Sequence, residues 1–525
     1  MRCSRLVVVT TCLSMASGLQ VASRPLGARH QPAQQALPPL TISATALSRA
    51  PPPQCALPGA VPGFLSLVPP ARVNTRSRQL PMRRCPQLAA QAAEPAPTKM
   101  GSVVAGTYTG VMQFTFAAAC ASIILAPVGL PLTIGIQHCL VGFVVTQTVV
   151  AKTTSVKGGV ALAVPSFEVL PFLAKFATIV AASVGANAPA GAVLATVLAG
   201  SILTNILAAA LLAAASELPV DKIDRLLPPP LQAGLFAAIG WSLYLLSFDT
   251  LGLSFTASAL FTQSARLWVP ANLFGVGLWC ASRKIDSPLL IPSFLLGVSG
   301  LVHGVRLSTG TSIVAARGAG WLMSEVVGAP ASALWRSLAP SLVQWDVLFS
   351  AAALKQLVSA ALFGPLVNTL LNFVLYGPMI RQKIDLKSEL KSHAVGTAAA
   401  AAVGGYSNYM GLSDTAIHRK LGGLDKLSCY LAAAVGALFL VAYPLCGAVG
   451  YLPTVAIAAI CVFVGCDFLY DNLVEATKAN GLRAGLFTAA VLATCVWKDM
   501  LAGLLFGITS GQAHRWWARR QKQPE

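Results

Sequence analysis

The chain has 525 residues, 55% hydrophobic and only 10% charged, with a mean hydropathy of +0.69 and a formal net charge of +19. A soluble domain carries ~25% charged residues, so this composition excludes a water-covered globule and points to a chain that lipid covers. No Lys/Arg run is interleaved with aromatics, which excludes a nucleic-acid groove.

Residues 1–93 hold ten Arg and no Lys, Asp or Glu. Arg2 and Arg5 precede an apolar stretch at 6–15 and small residues at 16–18, the order of a signal peptide. The next stretch, acid-free up to Glu94, is Arg-, Ser-, Ala- and Pro-rich, like a transit peptide. The tandem resembles the two-part presequence of proteins sent to complex plastids through the secretory route. A plain signal peptide with a disordered tail is the alternative. Residues 1–99 are therefore expected to be a targeting presequence, 100–512 a membrane domain and 513–525 a short basic tail. The expected location is a plastid envelope, with another endomembrane or the plasma membrane as the alternative.

From about Gly101, apolar runs alternate with short breaks. Fourteen candidate spans begin near Val103, Val128, Ala161, Ala188, Leu231, Leu267, Pro288, Trp345, Ser392, Gly411, Leu427, Pro453, Leu482 and Asp499. Outside the first 93 residues, 27 basic residues remain, and 19 of them come after the even-numbered spans. They include Lys152 and Lys157, Arg283 and Lys284, Lys383 to Lys391, and Arg515 to Lys522. Opposite connections such as 184–187 and 446–451 hold none. The positive-inside rule then puts both ends of the membrane domain on the cytosol-like side, with an even number of spans.

Two spans are broken. Gly158-Gly159 leads to Pro165 in the third, and a run from Gly404 to Gly411 opens the tenth. Ordinary glycine packing is the simpler account of either break alone. Together they occupy equivalent places in two seven-span halves, which marks a transporter site built from inverted repeats. Half-helix N-termini meeting there would present unpaired N–H groups and positive dipole ends, a place for an anion without a basic side chain. The fold expected is an all-α polytopic membrane protein of about fourteen transmembrane segments, as 7+7 inverted repeats with half-helices in spans 3 and 10.

The stretch at 385–423, DLKSELKSHAVGTAAAAAVGGYSNYMGLSDTAIHRKLGG, resembles the SulP family of sulfate-permease-type anion transporters. Further matches lie in order along 101–512: RLLPPPLQAGLFAAIGW at 225–241, GYLP at 450–453 and WKD at 497–499. The resemblance implies the same seven-plus-seven fold, a core and a gate domain. It implies an anion pocket between Ser166 and Phe167 of the third span and Met410, Gly411, Leu412 and Ser413 of the tenth. The eighth span would face it between Gly364 and Asn372. Three departures stand out. The chain ends soon after the last span, where many members carry a STAS domain. Asp414 comes directly after Ser413, where many members place Arg. Asn368, with Asn372 one turn on, stands where sodium-coupled bicarbonate members use an acid, which argues against sodium coupling there.

Glu168 and Asp414 stand just past the two breaks. An ionisable group inside a span costs about 2.5–3.5 kcal/mol on insertion scales, so it lines water or pairs. The functional reading is proton or cation coupling; the simpler one is a first-turn acid stabilising its own helix dipole. Lys175 and Lys355 lie within spans, where snorkelling to an interface is the simpler account. His418 is expected to contact a helix C-terminal dipole. Twelve cysteines include no CxxC pair and read as small buried hydrophobes. No nucleophile–base pair, phosphate loop or metal-ligand cluster is visible, so neither an enzyme nor a cofactor is expected.

The reading is a secondary active transporter of small inorganic anions, of the sulfate or bicarbonate class, working by alternating access. Its expected partners are the anion, a proton if the carboxylates couple, and the bilayer, with a homodimer left open. A nucleobase- or dicarboxylate-type transporter of related architecture, and a non-transporting membrane subunit, are the alternatives.

Overall fold

A computed structural model describes residues 97–520 except 157, 186–187, 219–227, 257–264, 286, 288 and 381. The expected presequence up to residue 96, Lys157, Lys222, Arg225, Arg381 and residues 521–525 lie outside the described residues, as do the side chains of 513–520.

The first half contains α1 (Lys99–Leu125), α2 (Leu132–Thr153), β1 (Ala163–Pro165), α3 (Leu170–Ser183), α4 (Ala192–Ser216), α5 (Pro229–Thr250), α6 (Ala265–Ser282) and α7 (Leu290–Ser308). The second contains α8 (Ala351–Ala361), α9 (Val367–Met379), α10 (Leu386–Ala402), β2 (Asn408–Met410), α11 (Leu412–Lys420), α12 (Lys426–Val441), α13 (Thr454–Leu469), α14 (Ala476–Asn480), α15 (Leu482–Trp497) and α16 (Met500–Arg520). Three short helices, Ile313–Gly318, Ser332–Ser337 and Trp345–Leu348, lie between them.

Local chemistry sets several starts. The side chains of Thr98, Ser350, Asp385 and Asp425 accept backbone N–H groups at the first turns of α1, α8, α10 and α12. Each satisfies a donor that the helix cannot pair itself. Pro365 falls in a π-turn, Leu362–Leu366, that joins α8 to α9. A second π-turn, Tyr470–Glu475, joins α13 to α14.

Among the described residues, seven helices are long and apolar enough to cross a membrane, or eight if α12 and the 3-10 segment Tyr443–Tyr451, bent by 83°, count as one. The sequence expectation was about fourteen spans. The difference has a physical basis: α3, α15 and Met500–Gln512 are apolar but short. The segment at 446–451, expected as a bare connection, continues as 3-10 helix.

The helices pack as two bundles. In one, α2 contacts α1, α10 and α12, α1 packs on α12, α4 lies on α10, and α8 rests on α3 and α4. In the other, α13 packs on α5 and α6, α15 on α5, and α16 on α15. Small residues let the backbones meet, as packing in lipid requires. A Cβ on Gly240 would lie 2.9 Å from the Gly465 carbonyl, and one on Gly465 would lie 2.8 Å from the Gly240 carbonyl.

Candidate functional site

The two breaks meet. β1 and β2 form a two-stranded antiparallel sheet, with Ala163 opposite Met410, Val164 opposite Tyr409 and Pro165 opposite Asn408. Ser166 N–H donates to Ser407 O at 3.1 Å and Gly411 N–H to Leu162 O at 3.0 Å, which extends the ladder at both ends. Thr415 locks the junction: its hydroxyl donates to Gly411 O at 2.6 Å and accepts from Leu162 N–H at 3.1 Å. Strands this short have few internal bonds, so neighbours must hold them. Tyr406 N–H donates to His138 O at 2.9 Å. The His138 ring bonds Gly404 O at 2.7 Å and the Ser201 hydroxyl at 2.8 Å. Asn205 donates to Gly405 O at 2.7 Å. Helix α2 comes so close that a Cβ on Gly142 would lie 2.3 Å from Tyr406 O.

Past the sheet the chain enters α3 on one side and α11 on the other, and neither helix start has a side-chain cap. Between these starts and the second bundle lies a cavity of about 520 Å3. Of the residues expected at the site, Phe167, Glu168, Ser413 and Asp414 line it. Glu168 is buried and accepts the Ser166 hydroxyl at 3.0 Å. Phe167 meets Phe116 edge-on at 5.4 Å.

The other expected residues support these rather than face the cavity. Ser166 is fully buried and its hydroxyl is engaged by Glu168. Met410 is fully buried and its carbonyl accepts from Asn372 Nδ2 at 2.6 Å. Gly411 contributes its backbone to the ladder, and Leu412 packs with Met410, Phe373 and Tyr376. Asn368 is buried and donates to Phe363 O at 3.2 Å within its own helical segment. Gly364 does approach the site: a Cβ there would lie 3.1 Å from Ser166 Oγ. His418, expected at a helix dipole, bonds the hydroxyls of Thr109 at 2.7 Å and Ser428 at 2.8 Å.

Helix α1 contributes residues that the sequence did not single out: Tyr108, Gln113 and Phe116 line the same cavity. Gln113 is 1% exposed, yet neither of its amide atoms has a hydrogen-bond partner. Its only signal in the sequence is a polar side chain in an otherwise apolar span. At the mouth, Arg283 donates to Asp467 at 2.6 Å and Asp471 at 2.7 Å. Its guanidinium lies 4.9 Å from the Tyr470 ring centroid and 5.4 Å from that of Trp279. With Lys420, the described residues of the wall carry the carboxylates of Glu168, Asp414, Asp467 and Asp471 against two cations. Such a wall holds an anion only where protons or backbone dipoles offset its carboxylates. Among the described residues, no cluster of His, Cys, Asp or Glu could hold a metal ion.

Residues 310–490 match the model of the sulfate permease family. No curated protein sequence matches the chain at a significant level. The fold is similar to the transmembrane domain of a cyanobacterium bicarbonate transporter, BicA, with TM-score 0.53 and 17% identity over 78% of this chain and 98% of that one. It is also similar to SLC26A9, with TM-score 0.54 and 12% identity over 78% of this chain and 65% of that one. Murine Slc26a9, an anion transporter solved in the inward-facing state, gives TM-score 0.56 and 14% identity over 82% of this chain and 70% of that one. The matched segment is thus similar to the sulfate permease family, and the fold as a whole is similar to those anion-transporter membrane domains.

Proposed function

We propose that the chain is a secondary active transporter of small inorganic anions, of the sulfate or bicarbonate class, working by alternating access. One observation carries this reading. Two uncapped helix starts, held by one antiparallel sheet, flank a cavity to which they contribute Phe167, Glu168, Ser413 and Asp414. Helix starts present N–H donors and a positive dipole end, which stabilise an anion in the absence of bulk water. The family match and the similarity to a bicarbonate transporter and an anion transporter support the same class of cargo.

On this reading the sheet and the two short helices form the third and tenth of fourteen segments in two inverted halves. The two bundles move against each other about the sheet. Asp414 and Glu168 carry the coupling proton, which offsets the negative wall as the anion enters. Residues 1–99 direct the chain to a plastid envelope. A reporter fused to these residues tests that last point, and stable reporter at the cell surface rejects it.

Transport itself is tested by uptake in liposomes of the purified chain. Labelled sulfate and bicarbonate are supplied with and without a pH gradient, with nucleobases and dicarboxylates as competitors. Saturable accumulation of one oxyanion, increased by an inward proton gradient, is expected. Absence of uptake for both anions rejects the proposal.

A further inference from the structure

A second cavity, of about 260 Å3, borders α3 at Pro171, Phe172 and Lys175 and does not include Glu168 in its lining. Both bundles line it: Phe172 and Lys175 of α3 and Lys355 of α8 from one, Ser242 of α5 and the pair Lys498 and Asp499 ahead of α16 from the other. The charge balance reverses that of the main cavity, with three ammonium groups around a single carboxylate. Lys355 Nζ donates to Asp499 Oδ2 at 2.7 Å. Lys498 lies over the Trp497 ring at 4.4 Å, and Lys175 has no acidic partner among the described residues.

Membrane orientation does not explain these lysines. Lys498 sits in the connection between the thirteenth and fourteenth expected segments, on the side opposite the basic connections, where the positive-inside bias disfavours it. Snorkelling would send three long side chains outward separately; here all three residues line one hollow. The two hollows border the same segment of chain. Phe167 lines one and Phe172 the other, five positions along the same segment, and Phe172 is stacked on Phe363 at 6.0 Å.

We infer that this basic cavity is the entry site for the transported oxyanion on the face opposite the mouth of the main cavity, and that Asp499 occupies Lys355 while the anion is absent. The inference rests on the anion-transport reading above. Chemically, a carboxylate resembles bicarbonate, with one negative charge shared over oxygens on a planar carbon, so it is a built-in competitor. Lys355 and Asp499 belong to different bundles, and an anion that takes Lys355 removes an ion pair between them. Asp499 keeps a partner when displaced, because its Oδ1 accepts Ala502 N–H at 2.9 Å as the cap of α16. Entry of the anion thereby loosens the contact that closes this face.

The test measures charge in the cavity without relying on transport. Ser242→Cys is introduced with Cys495→Ser in the full chain, reconstituted in liposomes. Its reaction rates with anionic and cationic methanethiosulfonate reagents are compared with those of a free thiol. The anionic reagent is expected to gain ~10-fold relative to the cationic one, as a focused positive potential dictates. Lys175→Gln with Lys498→Gln should abolish that gain, and Asp499→Asn should increase it. Millimolar sulfate or bicarbonate should slow the anionic reagent, and whichever does so identifies the oxyanion. A rate ratio equal to that of the free thiol, a ratio unchanged without the lysines, or no protection by either anion overturns the inference. Protection without any uptake by the wild-type chain would sink the transport reading alone. Lys498→Gln, an exposed rim change, gives a second readout: half-saturation for uptake from this face rises several-fold with the maximal rate retained.

Discussion

The hydroxyl of Tyr406 donates to the backbone carbonyl of Ser166 at 3.0 Å, across 240 residues of sequence. It ties the entry to β2 to the exit from β1, and so fixes the two helix starts relative to each other. Tyr406→Phe keeps the buried ring, which meets His138 edge-on at 5.8 Å, and removes this bond together with the hydroxyl's contact to the Cys120 thiol. Leaving a buried carbonyl short of a partner costs about 1–3 kcal/mol. The melting temperature in detergent should fall by several degrees. Unchanged melting would mean that the bond does not hold the sheet.

Gln113 separates a ligand contact from a packing contact. Its amide lines the main cavity and has no protein partner. Gln113→Leu removes a buried polar group that costs about 1–3 kcal/mol while unpaired. The variant should melt no lower than wild type, yet its half-saturating anion concentration should rise about tenfold, as for one lost charge-assisted bond of about 1.4 kcal/mol. Unaltered half-saturation would remove Gln113 from the binding site.

Asp414 lines the cavity at the first turn of α11. Ionised, it opposes an anion drawn to the same helix start; at ~5 Å and an effective dielectric of about 20, that repulsion is roughly 3 kcal/mol. Protonated, it does not. Proton and anion binding therefore assist each other by linkage, and uptake should quicken as pH falls on the substrate side. Asp414→Asn should exchange anion for anion with little pH dependence near neutrality and lose accumulation driven by a proton gradient. Retained wild-type pH dependence would leave Asp414 as a helix-start acid and make Glu168 the next residue to substitute.

At the membrane surface, Glu217 receives Lys387 at 2.7 Å and Lys391 at 2.8 Å, and so links the end of α4 to α10. The hydrogen bonds from the two lysines hold its carboxyl down at about 2. A depressed folded value stabilises the fold above the ordinary carboxylate range, and this contribution disappears as pH falls towards 2. All three groups are well exposed, so salt screens the effect. Glu217→Gln should lower the melting temperature slightly at pH 7 in dilute salt. The difference should shrink at pH 3, and close as pH approaches 2 or in 1 M salt; a difference that persists in both would assign the effect to packing.

The sequence exposed the two breaks because they are spelled in glycine and proline, at Gly158, Gly159 and Pro165 and from Gly404 to Gly411. It exposed Glu168 and Asp414 because charge inside an apolar run is conspicuous. The pairing of β1 with β2 left no such mark, since three residues are too few for an alternating pattern. Gln113 and Phe116 sit in a span with no break. The Lys355–Asp499 pair joins residues 144 apart that read separately as an interfacial lysine and the beginning of the fourteenth span. Only seven or eight of the expected spans are long apolar helices among the described residues, because hydropathy locates apolar runs but does not measure how far each stays helical.

The register of Val164 against Tyr409 has a consequence for which insertions and deletions the gene can accept. Side chains alternate faces along a strand, so losing one residue from β1 or β2 turns every later side chain over. Phe167 and Glu168, or Ser413 and Asp414, would then point away from the cavity while overall composition and hydropathy barely changed. Segment length at 160–169 and 406–414 is therefore fixed more tightly than residue type. The exposed turn at 309–312 is free to lengthen, because it neither enters the ladder nor borders either cavity.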